Sequence, residues 1–118
     1  MDRYSHWRFP HEDLDVYQNA RELLRCVHAL CWPRRFGDLK SQLTRAALSV
    51  SLNICEGRAQ RLAGNTGTNF YRIALGSAAE CHGALEALEI VTNRAFTAEI
   101  ALVHKVGAQL TGLVRAAT

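Results

Sequence analysis

LKSQLTRAALSVSLNICEGRAQR, residues 39–61, decides the fold. Turned at about 100° per residue, Leu39, Leu43, Ala46, Ala47, Val50 and Ile54 fall within one stripe roughly 100° wide, the width of a helix face packed on a core. The stripe keeps its helical spacing along most of the stretch, so a helix is expected. A second apolar set, Leu48, Leu52 and Cys55, projects from the other side of the same helix. A helix apolar on two sides is buried on two sides. These three residues are therefore expected at a contact between subunits, against the plainer alternative of scattered exposed leucines.

Three further periods flank this one. Leu14, Tyr17, Ala20, Leu23, Leu24, Val27 and Leu30 predict a helix over about 13–31, with Asp13 as its N-cap and Trp32-Pro33 as its end. GNTGTN, residues 64–69, has turn formers and no period, and Thr66, Thr68 or Asn69 is the expected cap of the next helix. Phe70, Ile73, Ala74, Ser77, Cys81, Ala84, Leu85, Leu88 and Val91 predict that helix over about 69–92, broken at Asn93-Arg94. Thr97 is expected to cap a last helix, 97–116, with the face Ile100, Val103, Val106, Leu110, Leu113 and Val114. Four amphipathic helices joined by short loops predict one all-α domain over residues 1–118, an antiparallel up-down four-helix bundle. Leu24, Val50, Ile54, Phe70, Ile73 and Leu88 are expected in its core.

Composition narrows the class. The chain has 118 residues, 48% hydrophobic and 21% charged, a globular balance. No apolar run approaches the roughly 18 residues of a membrane span, and the N-terminus carries no signal-peptide core, so a cytoplasmic protein is expected. Cys26, Cys31, Cys55 and Cys81 form no CxxC pair and no zinc spacing with histidine, and read as reduced, buried small residues. The net charge of +3 is uneven: residues 34–72 hold seven basic side chains (Arg34, Arg35, Lys40, Arg45, Arg58, Arg61, Arg72) against Asp38 and Glu56. Each flanking segment is net negative. That asymmetry points to an anionic partner.

Two more patterns stand outside the core stripes. Gly76, Ala79, Gly83 and Ala87 form a strip of small residues, which implies that another backbone passes close, in the same bundle or in a second subunit. Arg45, Asn53, Glu56, Ser77 and Glu80 lie at or beside the shoulders of the second and third helices. Glu56 or Glu80 is expected to have side-chain partners on another helix or subunit, with at least one of the two largely buried, fixing helix register and subunit contact and doing no chemistry.

One segment is more specific than these patterns. Gln42, Arg45-Ala46-Ala47, Ser49-Val50, Asn53-Ile54-Cys55-Glu56-Gly57 and Arg61 resemble the signature of the four-helix-bundle proteins named after the 23S rRNA intervening sequences that encode some of them. FPHEDLDVYQNARELL resembles that family's opening helix, and FYRIALGSAAE its third, so the likeness covers about residues 9–92. The resemblance implies a ring of five copies with no enzymatic activity. The accessory proteins of diversity-generating retroelements are similar, and bind nucleic acid through basic surfaces.

The expected function is a non-enzymatic homo-oligomer contacting RNA or DNA through Arg34, Arg35, Arg58, Arg61 and Arg72. The alternative is a protein-binding scaffold ring that uses the aromatic N-terminal segment, Tyr4, Trp7 and Phe9. An enzyme fits poorly: no glutamate is followed three positions on by histidine, as a di-iron bundle needs, and no Walker lysine follows the loop glycines. No cofactor, metal, membrane or small-molecule substrate is expected.

Overall fold

The computed structural model describes residues 2–117, and among them the chain is all-α, with four helices and no strand. Helix α1 spans Asp15–Ala29, α2 Gly37–Leu62, α3 Thr68–Thr92 and α4 Thr97–Ala117, with a single 3-10 turn at Arg34–Phe36 before α2. Each helix packs on two others: α1 on α2 and α4, α3 on α2 and α4. One core fills the space between them.

The core stripes of α2 and α4 lie where the periodicity puts them. Leu43, Ala46, Ala47, Val50 and Ile54 of α2, and Val103, Val106 and Leu110 of α4, are buried, with Leu39, Ile100, Leu113 and Val114 packed at their edges. On α1 the stripe is turned slightly from the expected one: Val16, Ala20, Leu23 and Val27 are buried, while Leu14, Tyr17, Leu24 and Leu30 are only partly covered.

On α3 the expectation needs correction. Ile73 is 45% exposed and Val91 43%, and Phe70 is half-buried. Tyr71, completely buried, takes the place in the core instead. The cause sits on α2. A Cβ at Gly57 would stand 2.6 Å from Cε1 of the Tyr71 ring, so only glycine leaves room for it. The core of α3 then runs through Tyr71, Ala74, Ala78, Cys81, Leu85 and Leu88, about 110° from Ile73 on the wheel.

The helix ends also differ from the simple cap rules. Leu14, not Asp13, is the N-cap of α1, and no side chain caps it. The helix stops at Ala29, because Leu30 is already extended ahead of Trp32-Pro33. Gly67 is the N-cap of α3, in the left-handed region at φ +71°. A Cβ there would collide with the Gly57 carbonyl oxygen. Thr66 assists from outside, its Oγ1 accepting the Thr68 N–H at 3.3 Å. At the other end of α3, Asn93 turns the chain at φ 53°, a conformation asparagine tolerates better than most residues. The Glu89 carboxylate then accepts the Phe96 N–H at 2.8 Å, placing Phe96 in the core as α4 begins. Thr97 is the first residue of α4 and not the cap ahead of it.

The cysteines are unpaired, but only Cys81 is buried. Cys26 and Cys55 are half-buried and Cys31 is exposed. Burial pushes the Cys81 thiol up to about 12, with the Glu80 charge adding to the shift.

Candidate nucleic-acid interface

The five arginines expected to meet an anion do not form one patch. Arg34 and Arg35 lie in the 3-10 turn ahead of α2, and Arg58 and Arg61 lie in its last turns. About 1.5 Å of rise per residue puts roughly 30 Å of helix between them. Arg72 stands near the start of α3, at the same end of the bundle as Arg58 and Arg61, but it lines the groove toward α4. The contiguous run of charge in the sequence is thus divided between the two ends of α2. At the near end, Arg35 rests over the Phe36 ring at 4.8 Å.

The far end is the more built of the two. Arg58 is half-buried and its Nε donates to the Pro10 carbonyl at 3.4 Å, linking α2 to the segment before α1. The stem of Arg61 lies against Gly67, at the start of α3. The Tyr71 hydroxyl is sealed beneath them with no well-aligned hydrogen-bond partner. Burial raises its pKa, and the nearby guanidiniums of Arg58 and Arg61 oppose that rise. None of Arg58, Arg61 and Arg72 has a carboxylate partner among the described residues. They stand near the positive end of the α3 dipole, where the N-cap Gly67 has no side chain and only Thr66 Oγ1 takes up an N–H.

The polar seam between α2 and α3 is smaller than expected. Ser49 Oγ and Ser77 Oγ are 2.8 Å apart, and Asn53 Nδ2 donates to the Ser49 carbonyl at 2.9 Å and to its Oγ at 3.1 Å. Asn53 and Ser77 therefore meet through Ser49. Arg45, Glu56 and Glu80 take no part: all three are exposed in the protomer, and neither carboxylate is hydrogen-bonded or ion-paired there. The burial expected of Glu56 or Glu80 fails within the protomer, because both project outward from a core centred on Val50 and Cys81.

Of the expected contact residues, Leu48 is 43% and Leu52 56% exposed, and Cys55 is half-buried. Leu48 lines a groove between α1 and α2 with Leu24 and Thr44. Gly76 and Ala79 line another, apolar groove of about 610 Å³ between α3 and α4, with Leu75, Val103 and Ala108. A Cβ at Gly76 or Gly83 would meet nothing within 4 Å, so no backbone of the same chain passes close to this strip. In that groove the rings of His82 and His104 meet edge-on at 5.1 Å, and His82 Nδ1 lies 3.3 Å from the Glu86 carboxylate. Among the described residues no three His, Cys, Asp or Glu side chains gather as a metal site would require. No helix among them is long and apolar enough to cross a membrane.

Such a molecule is a small all-helical domain with a basic corner and unpartnered apolar faces. It belongs to the family described as 23S rRNA-intervening sequence protein, whose model matches residues 12–112. That match takes in most of α4, which carries no signature beyond its periodicity. No curated protein matches the chain significantly.

No helical period marks Tyr71, Gly57 and Gly67 as the frame of the arginine corner. The available signal was the pair of glycines bracketing the α2–α3 turn. Ser49, the centre of the polar seam, was visible only as part of the Ser49-Val50 motif.

Proposed function

We propose that this protein is a non-enzymatic cytoplasmic homo-oligomer, an antiparallel up-down bundle closed into a ring of five, which binds RNA or DNA through the arginine corner. The observation that carries the binding role is the pair Arg58 and Arg61, bordering one cleft beside the start of α3 without carboxylate partners among the described residues. Repeated around a ring, such a corner multiplies weak phosphate contacts, and affinity falls steeply with salt. The antiparallel course is supported by the contacts of α2 with α3, where Gly57 meets Tyr71 and Ser49 meets Ser77.

Two unlike surfaces support the ring. The Leu48–Leu52 ridge belongs to the α1–α2 side, and the small-residue strip borders the α3–α4 groove. Given the packing order, these sides face away from each other. A ridge on one side that fits a strip on the other makes a head-to-tail contact, and such contacts close into rings when the rotation permits. The number five comes from the family resemblance.

Light scattering at micromolar concentration tests the assembly: a closed oligomer is expected, dispersed by Leu52→Glu, and a native monomer overturns the ring. Binding of labelled RNA and DNA across a salt series tests the ligand: Arg58→Gln with Arg61→Gln is expected to weaken binding and flatten the salt slope. Absence of binding at low salt favours the second reading, a scaffold ring for a protein partner, which the exposure of Tyr4, Trp7 and Phe9 supports.

A further inference from the structure

The exposed aromatic residues of the N-terminal segment adjoin the arginine corner. Their rings form a continuous row. Trp7 meets Phe9 edge-on at 4.7 Å, Phe9 stacks on His11 at 5.7 Å with 24° between planes, and His11 meets Tyr17 at 4.6 Å. The Arg21 guanidinium lies 5.9 Å from the Tyr17 ring and extends the row. Trp7 and Phe9 are each 57% exposed, although rings of this size contribute most when buried.

The segment is held in this position. The Glu12 carboxylate accepts the Phe9 N–H at 2.7 Å and Arg8 Nη1 at 2.9 Å, which keeps its pKa below the ordinary value. Gln18 Nε2 donates to the Glu12 carbonyl at 2.9 Å, fastening the turn to α1. Next to Phe9, the Pro10 carbonyl takes its bond from Arg58, and Pro10, Arg58, Arg61 and Leu62 border one cleft. Asp13 and Asp15 are the carboxylates nearby without a pairing arginine.

We propose that this platform binds single-stranded nucleic acid, with bases stacking on Trp7 and Phe9 and phosphates reaching Arg58 and Arg61. The inference rests on the nucleic-acid reading above and specifies its ligand. Flat exposed rings beside guanidiniums that lack carboxylate partners suit a ligand carrying both π-faces and negative charge. A duplex keeps its base faces stacked and offers only phosphates and groove edges. An apolar peptide would use the rings and leave the arginines unsatisfied.

The test uses the full chain with short labelled oligouridylate, oligodeoxythymidylate and a duplex of equal length. Fluorescence anisotropy gives affinity, and quenching of Trp7 in a Trp32→Phe background reports contact at the ring. Both single strands are expected to quench Trp7 and to bind more tightly than the duplex. Trp7→Ala and Phe9→Ala are each expected to weaken binding about tenfold, as for loss of a base–aromatic stack. Trp7→Tyr, which keeps a ring, should retain it, and helicity by circular dichroism should be unchanged in every variant. If the duplex binds as tightly as the strands, or if both alanine variants bind like the native chain, the platform is overturned and the basic-corner reading stands. If no nucleic acid binds the native chain, both are overturned. If a protein partner is retained by the native chain but not by Trp7→Ala, while no oligonucleotide binds, the rings belong to that partner and the proposal also falls.

Discussion

Gly57 and Gly67 stand where α2 hands over to α3, and Gly76, Gly83 and Gly112 stand on the outward sides of α3 and α4. A Cβ at either of the first pair strikes the Tyr71 ring or the Gly57 carbonyl, whereas a Cβ at any of the second three meets nothing within 4 Å. The same residue therefore does opposite things in the two regions. At the α2–α3 corner its missing side chain is filled by the chain's own atoms, and this close fit sets the frame behind Arg58 and Arg61. On the outer faces the missing side chain is left unfilled within the protomer, although each helical glycine costs about 1 kcal/mol against alanine. The first arrangement is explained by the fold. The second is what the proposed assembly would account for.

The largest effect is expected at Gly67. Alanine there combines a left-handed backbone with a collision against a carbonyl that cannot swing away. Gly67→Ala should lower stability by roughly 3 kcal/mol, the sum of a strained backbone and an overpacked contact. Urea unfolding measures it, and a loss below that of Gly57→Ala would break the distinction between backbone and ring contacts.

Gly57→Ala comes next. Its Cβ meets the edge of Tyr71, which is wholly buried and has little room to turn. A loss of about 1–3 kcal/mol is expected. In the double variant Gly57→Ala, Tyr71→Phe, removal of the sealed hydroxyl should recover part of the loss, because that group has no aligned partner to lose. The same substitution tests how the corner is wired, since Tyr71 sits against Arg58.

This corner also shows what a sequence alone conveys. The faces of α2 and α4 were legible because each position's burial follows from the period of its own helix. The face of α3 departs from its expected stripe at Phe70, Ile73 and Val91, and Tyr71 takes the place in the core. The deciding factor is a vacancy on α2, which no period of α3 contains. The arginines are divided for a related reason. Residues 34–72 are contiguous in charge, but α2 itself separates Arg34 and Arg35 from Arg58, Arg61 and Arg72. The carboxylates Glu56 and Glu80 lay near the shoulder of a stripe, where a small rotation decides between seam and solvent, and Ser49 rather than either carboxylate completes the seam.

A smaller effect separates the inner side of α3 from its surroundings by pH. Cys81, in the core, has its thiol raised to about 12 chiefly by burial, from an ordinary value of 9.0. The unfolded chain therefore releases this proton first as pH rises, so stability is lost above pH 9 and is unaffected well below it. The slope from this one group is about 1 kcal/mol per pH unit. Comparing urea unfolding of the native chain and Cys81→Ala at pH 8, 9 and 10 isolates it. In the folded protein, alkylating reagent should modify exposed Cys31 long before Cys81. Equal rates at the two thiols would show that the inner side of α3 opens readily.

The smallest effect bears most directly on the outer glycines. Gly112 lies in α4 with open space around it and borders neither groove of the proposed contact. Gly112→Ala should raise stability by about 0.5–1 kcal/mol through backbone entropy alone, with the assembled mass unchanged. Gly76→Ala and Gly83→Ala provide the same gain in helix propensity to α3. If a neighbouring copy lies against the strip, each added methyl group must also be accommodated between two packed backbones, an overpacking that offsets the gain. The expected outcome is therefore a lower assembled mass in light scattering for the double variant Gly76→Ala, Gly83→Ala, at a dilution where the Gly112→Ala protein remains assembled. Circular dichroism should show no loss of helix in either. A gain per glycine equal to that of Gly112→Ala, with the mass intact, would place the strip in open water and leave the Leu48–Leu52 ridge to meet some other surface.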